Sequence, residues 1–247
     1  MTSSPQDSGN AREDSKAAVD AAAVVKAAVT ATRKTSAHTK QTIDTSGEGQ
    51  TYRFTVTGGF DFARDRGRLS ARLQQQPAVH VEEVLADGNV YIRGAADLDA
   101  KDWGVLPRAK AESHYALRAP VNDPEYLLQQ ISRMRNVSEE GTQTVEGVRI
   151  TRYRGTLNHA ALTYRMAADV RDKVDRTREL LDDGLPVFAE VWVDPQGRVS
   201  RTRTELNLAG AQMTVTLSLL DIGKPVEVNA PTSAAVPVGE SSGSFLG

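Results

Sequence analysis

The sequence predicts an α+β fold built on one large antiparallel sheet with helices on one side. Three observations predict it. Period-two alternation of apolar and polar residues dominates most of residues 48–231. Helical spacing is confined to three separated segments. The regular strand–helix alternation that builds a parallel sheet is missing.

Residues 1–15 read as a flexible tether, because Ser3, Ser4, Pro5, Ser8 and Gly9 cannot bury enough surface to offset the entropy of ordering. A helix is expected near 16–39, where Ala-rich sequence carries Val19, Val25 and Val29 without Gly or Pro. Tyr52, Phe54 and Val56 then alternate with Thr51, Arg53, Thr55 and Thr57 as one strand, which Gly58-Gly59 is expected to end. Further strands are expected at 60–64, 68–73, 78–85 and 90–94, the last two joined by a turn at Asp87-Gly88-Asn89. This half of the chain reads as a meander.

A second helix is expected over 123–135: Asn122 or Asp123 caps it, Pro124 suits the first helical position, and Leu127, Leu128, Ile131 and Met134 share a face. Strands resume at 146–157, and a third helix over 160–182 carries Leu162, Met166, Val170, Val174 and Leu181, ending at Asp183-Gly184 and Pro186. Val187, Ala189, Val191 and Val193 alternate with Phe188, Glu190 and Trp192, and Asp194-Pro195-Gln196-Gly197 turns the chain into a strand from Arg198 to Leu208. Met213, Val215, Leu217 and Leu219 mark another strand, followed by a turn at 221–225 and a short strand at Val226–Val228. Residues 232–247 read as a disordered tail. The organisation expected is thus a tether (1–15), one domain (16–231) and a tail (232–247).

Composition excludes several functions. Of 247 residues, 30 Lys+Arg oppose 32 Asp+Glu, a net charge of −2 that provides no field for nucleic acid. With no Cys there are no disulfides, thiol nucleophiles or Cys-based metal centres. Ala17–Ala31, the most apolar N-terminal stretch, is interrupted by Asp20 and Lys26, and residues 1–15 lack the basic start and apolar run of a signal peptide.

The motifs argue against catalysis. Gly239-Glu240-Ser241-Ser242-Gly243 matches a nucleophile-elbow pattern but lies in the polar tail rather than between a strand and a helix. His38, His80, His114 and His159 are far apart, without the spacing of a helical metal site. In Asp97-Leu98-Asp99-Ala100-Lys101-Asp102 a lysine occupies the place of a calcium ligand. Arg64, Arg66 and Arg68 read as a charged turn or strand face, and Glu82-Glu83 point to opposite strand faces, unlike an acid/base pair. No catalytic residue, metal site or cofactor is expected. The apolar faces of sheet and helices either fill a core or bound a cavity suited to an acyl chain.

An ordered set of short stretches resembles the LppX/LprG (LppX_LprAFG) group of actinobacterial lipoproteins, whose fold is similar to the LolA/LolB carriers. The set comprises Gly59–Phe62, Val90–Gly94 with Trp103, Asp123-Pro124, Val145–Val148 leading to Tyr153–Leu157, Pro186–Asp194 with Gly197-Arg198-Val199, and Leu219–Pro231. The resemblance implies an unclosed antiparallel β-barrel with helices over its concave side, and an extracytoplasmic lipoprotein anchored to the cell membrane through an acylated N-terminal Cys. Met1 is expected to stand where such an anchor Cys would be. It also implies binding of an acylated lipid between sheet and helices. The residues chosen by pattern to line that space are Tyr52, Phe54, Val56, Leu127, Ile131, Val191, Val193, Met213, Val215 and Leu217. The alternative is an extracytoplasmic sensor that binds an envelope signalling protein, with Trp103, Trp192 or Tyr115 as anchors. Nucleic acid is not an expected partner.

Overall fold

The computed structural model describes residues 10–47, 49–73, 79–94, 98–99, 101–111, 122–145, 147–165, 168, 172, 187–208 and 211–238. Helix α1 (Asn10–Thr32) leads into strands β1 (Ser36–Gly47), β2 (Gln50–Asp61), β3 (Arg66–Leu73), β4 (Val79–Ala86), β5 (Asn89–Arg93) and β6 (Trp103–Pro107). Short α2 (Arg108–Ala111) and α3 (Pro124–Ile131) follow, then β7 (Arg135–Val145), β8 (Val148–Leu157) and α4 (His159–Leu162). β9 (Val187–Val193), β10 (Val199–Leu208), β11 (Ala211–Leu220) and β12 (Ala235–Pro237) complete the chain. The strands of the described residues form one twelve-stranded sheet in the order β12-β6-β5-β4-β3-β2-β1-β11-β10-β9-β8-β7, whose two ends do not pair. The result is an unclosed antiparallel β-barrel with the helices over its concave side. α1 lies against β7, β9 and β10, and α3 lies against α1 and β10.

Several expected elements change. The first helix begins at Asn10, within the segment read as a tether, and stops at Thr32 instead of continuing to 39, and the residues after the Arg33–Thr35 turn form β1. β1 buries Ala37, Thr39, Gln41 and Ile43, a face so mixed in polarity that hydropathy hides it, and pairing with both β2 and β11 holds it extended. Gly58-Gly59 do not end a strand, since β2 runs through them to Asp61. Their role is close approach: a Cβ on Gly58 would strike the carbonyl oxygen of Arg68, and one on Gly59 would lie 2.7 Å from Val226 Cγ1.

The 123–135 helix ends early, at Ile131. Ser132 Oγ and Arg133 Nη1 both donate to the Gln129 carbonyl, at 2.7 and 2.8 Å, and cap the helix there. Val226–Val228 is not a strand, because this segment crosses the outer side of the sheet, where Val228 packs with Val84, Ala86 and Trp103. β12, within the segment read as a tail, pairs in parallel with β6, the one parallel pairing in the sheet of described residues. Of the expected 160–182 helix, His159–Leu162 is helical and turns follow through 165; most of the remainder lies outside the described residues. Tyr115, His114 and the Gly239–Gly243 pattern also lie outside them.

α1 is fastened at its end as well as along its face. Ala21, Val25, Ala28, Val29 and Thr32 form its buried stripe. Thr32 Oγ1 donates to Ala28 O at 2.8 Å and accepts from Val199 N at 2.8 Å, which joins the last turn of the helix to the start of β10.

Candidate functional site

The inward side chains of the sheet meet the buried face of α3 in one hydrophobic cluster. Phe54 and Val56 come from β2, Val191 and Val193 from β9, Val215 and Leu217 from β11, and Leu127 and Ile131 from α3. Tyr52 and Met213 are partly buried against the same cluster. Cross-strand register explains the assembly: Ile43 of β1 pairs with both Phe54 and Val215, and Gln41 pairs with both Val56 and Leu217. The structure therefore gathers every apolar residue chosen from the sequence pattern onto one side. Sequence reasoning missed the contribution of β1 and the buried Leu69 and Ile92, which fall in short strands with weak alternation.

This interior also holds polar groups that the sequence did not single out. Thr39 Oγ1, both amide heavy atoms of Gln41 and Gln130 Nε2 are buried without a hydrogen-bond partner among the described residues. Glu83 points inward from β4, opposite Leu69 and Ile92, while Glu82 points outward and accepts from Arg93 at 2.6 Å and Arg68 at 3.3 Å. Burial pushes the Glu83 carboxyl up to about 8, against the hydrogen bond from Asn122 and aided by the nearby Asp123 charge. Glu82 sits below its ordinary range, because its two arginines outweigh the desolvation that opposes them.

Where α3 begins, a buried ion pair ties it to the sheet. Arg108 Nε and Nη2 donate to Asp123 Oδ2 and Oδ1, each at 2.8 Å, and Nη1 donates to Asp65 Oδ1 at 2.7 Å. Burial works against the Arg108 charge, but the two carboxylates more than offset it. Asp123 is also the N-cap, accepting from the backbone N–H groups of Glu125 and Tyr126 at 3.0 and 3.2 Å. Glu125 is buried and accepts from Arg33 Nε at 2.6 Å; burial raises its carboxyl pKa although Gln129 and Arg33 oppose the rise. Tyr126 donates its hydroxyl to Leu162 O, joining α3 to α4.

The outer surface differs. Arg64, in the turn after β2, and Arg66 and Arg68, on β3, are ion-paired with Asp61, Asp87 and Glu82, so this cluster is a neutralised turn and strand face. Trp103 is buried beneath Arg93, whose guanidinium carbon lies 4.7 Å from the ring centroid. A groove of about 450 Å³ runs past Val145, Val148, Ile150, Trp192, Leu220 and Ile222 on the other half of the sheet. Val145, Val148 and Leu220 are exposed there, whereas Trp192 is buried with no partner for its Nε1 among the described residues. His38, His80 and His159 sit on β1, β4 and α4.

The sequence matches the family model of the LppX_LprAFG lipoproteins over residues 20–228. The chain belongs to this family. Among curated proteins there is no match. Among solved structures, this LppX_LprAFG member is similar to LprF from Mycobacterium bovis, at 15% identity and a TM-score of 0.48, covering 87% of this chain and 98% of that one. It is similar to Mycobacterium tuberculosis lipoprotein LppX at 16% identity and a TM-score of 0.49, covering 85% and 99% of the two chains. A LolA superfamily protein from Nitrosomonas europaea aligns at 9% identity and a TM-score of 0.36, covering 84% and 94%.

Proposed function

We propose that this family member is a non-catalytic envelope lipoprotein that holds an acyl chain of a lipid or glycolipid between the sheet and α3. It acts outside the cytoplasm, held at the membrane by an N-terminal lipid anchor. The observation that carries the reading is the single apolar cluster shared by the concave sheet face and α3. No reacting group is needed: each methylene removed from water contributes about 0.8 kcal/mol, so one long chain yields on the order of 10 kcal/mol before ordering costs.

The test is Ile131→Trp, a bulky group placed where α3 meets the sheet. If the space takes a chain, the variant keeps a near-normal melting temperature and loses the lipid that native mass spectrometry and extraction detect in the unmodified protein. If the space is a filled core, overpacking costs about 1 to 3 kcal/mol, the variant melts early and the unmodified protein carries no lipid. A second reading, an extracytoplasmic regulator that binds a signalling protein, has the outer groove with exposed Val148 and Leu220 in its favour. It replaces the carrier reading if the second outcome is found.

A further inference from the structure

The concave wall is apolar along most of its strands but not along β1. Thr39 and Gln41, two residues apart, face the same inward side and are 4% and 1% exposed. Gln41 stands between Leu217 of β11 and Val56 of β2, and Thr39 stands between Leu219 and Gly58. None of these neighbours has a side chain that donates or accepts a hydrogen bond. Thr39 Oγ1 and Gln41 Oε1 and Nε2 accordingly have no partner among the described residues. On the helix layer Gln130 Nε2 is in the same position.

Unpaired buried amides are rare in folded proteins, because each group forfeits its hydrogen bonds to water and receives nothing in exchange. An apolar side chain of similar volume at position 41 would fill the same space without that penalty. The amide therefore makes physical sense if something with polar atoms enters the interior beside it.

We propose that Thr39 and Gln41 form a hydrogen-bonding subsite for an ester-linked acyl lipid, the Gln41 amide and the Thr39 hydroxyl donating to the ester carbonyls at the head of the acyl chains. This deepens the reading of the interior given above and rests on it. An ester carbonyl is a pure acceptor, matched to the N–H pair of Gln41 and the O–H of Thr39. A bare hydrocarbon satisfies neither. The apolar rows beside them, through Ile43, Phe54 and Val215 on one side, take the chains that begin at the ester.

The discriminating probe is a pair of lipids that differ only at the linkage. The whole chain is equilibrated with vesicles holding equal amounts of dipalmitoyl phosphatidylcholine and its dihexadecyl ether analogue, and bound lipid is read by native mass spectrometry. The expected result is a preference for the diester of about tenfold. Gln41→Met brings the ratio close to one, with an unchanged or raised melting temperature because the unpaired amide is gone. Thr39→Val lowers the ratio in the same direction. If lipid binds but the unmodified protein shows no preference, or Gln41→Met keeps it, the subsite is refuted and acyl-chain binding stands. If neither lipid binds, both readings fall.

Discussion

Asn122 donates its side-chain amide to both carboxyl oxygens of Glu83, at 2.8 and 2.7 Å, in the interior next to the start of α3. The contact joins an inward position of β4 to the residue just before the helix cap. It gives the fold a titrating group at the seam between its two layers.

Stability should therefore depend on pH in a defined direction. Between the ordinary carboxyl value of 4.5 and about 8, folded Glu83 keeps a proton that the unfolded chain has released. Its contribution is complete below the ordinary value, is lost as pH rises through the window, and levels off above about 8. The slope is at most about 1.4 kcal/mol per pH unit, the limit for one proton. Glu83→Gln retains an oxygen for Asn122 and does not titrate, so urea unfolding of both proteins from pH 5 to 8 should show a stability difference that changes steadily with pH. A constant difference would place the titration elsewhere.

Asp123 serves Arg108 and the N-terminus of α3 together, and substitutions can separate the two roles. Asp123→Asn keeps a capping oxygen but removes the charge; Asp123→Ala removes both. Breaking a buried ion pair costs about 3 to 5 kcal/mol, and loss of the cap adds about 1 kcal/mol. Chemical denaturation should rank the original chain above Asp123→Asn, and that above Asp123→Ala. Equal loss in the two variants would show that the cap contributes nothing.

Adjacent glycines on β2 should respond differently to the same change. A methyl on Gly58 meets the backbone carbonyl of Arg68, which moves only with β3, whereas a methyl on Gly59 meets the side chain of Val226, which lies on a segment without strand pairing. Gly58→Ala is expected to destabilise by about 1 to 3 kcal/mol and Gly59→Ala by less. Melting temperatures decide the order, and the reverse order would refute the close-approach assignment.

Much of the fold was legible locally. The β9–β10 hairpin shows why: Val187, Ala189, Val191 and Val193 alternate inward, and Asp194 turns the chain by accepting from the N–H groups of Gln196 and Arg198 at 3.0 and 2.8 Å. The start of α3 was legible for the same reason, since Asp123 and Pro124 act within a few residues of themselves. β1 was not, because Thr39 and Gln41 occupy buried positions without carrying a hydrophobic signal, and only pairing with β2 and β11 makes them strand.

By itself the sequence determined the alternating strands, their turns and the residues able to form an apolar surface, because period, caps and turn chemistry act over a few residues. Tertiary structure alone decided which side of each strand is concave, that Glu82 meets arginines in solvent while Glu83 enters the core, and that Gln41 is buried without a partner among the described residues. Those outcomes depend on which strands become neighbours and what lies above them. Period two divides a strand into two faces, and only the packing of distant segments makes one of them the inside.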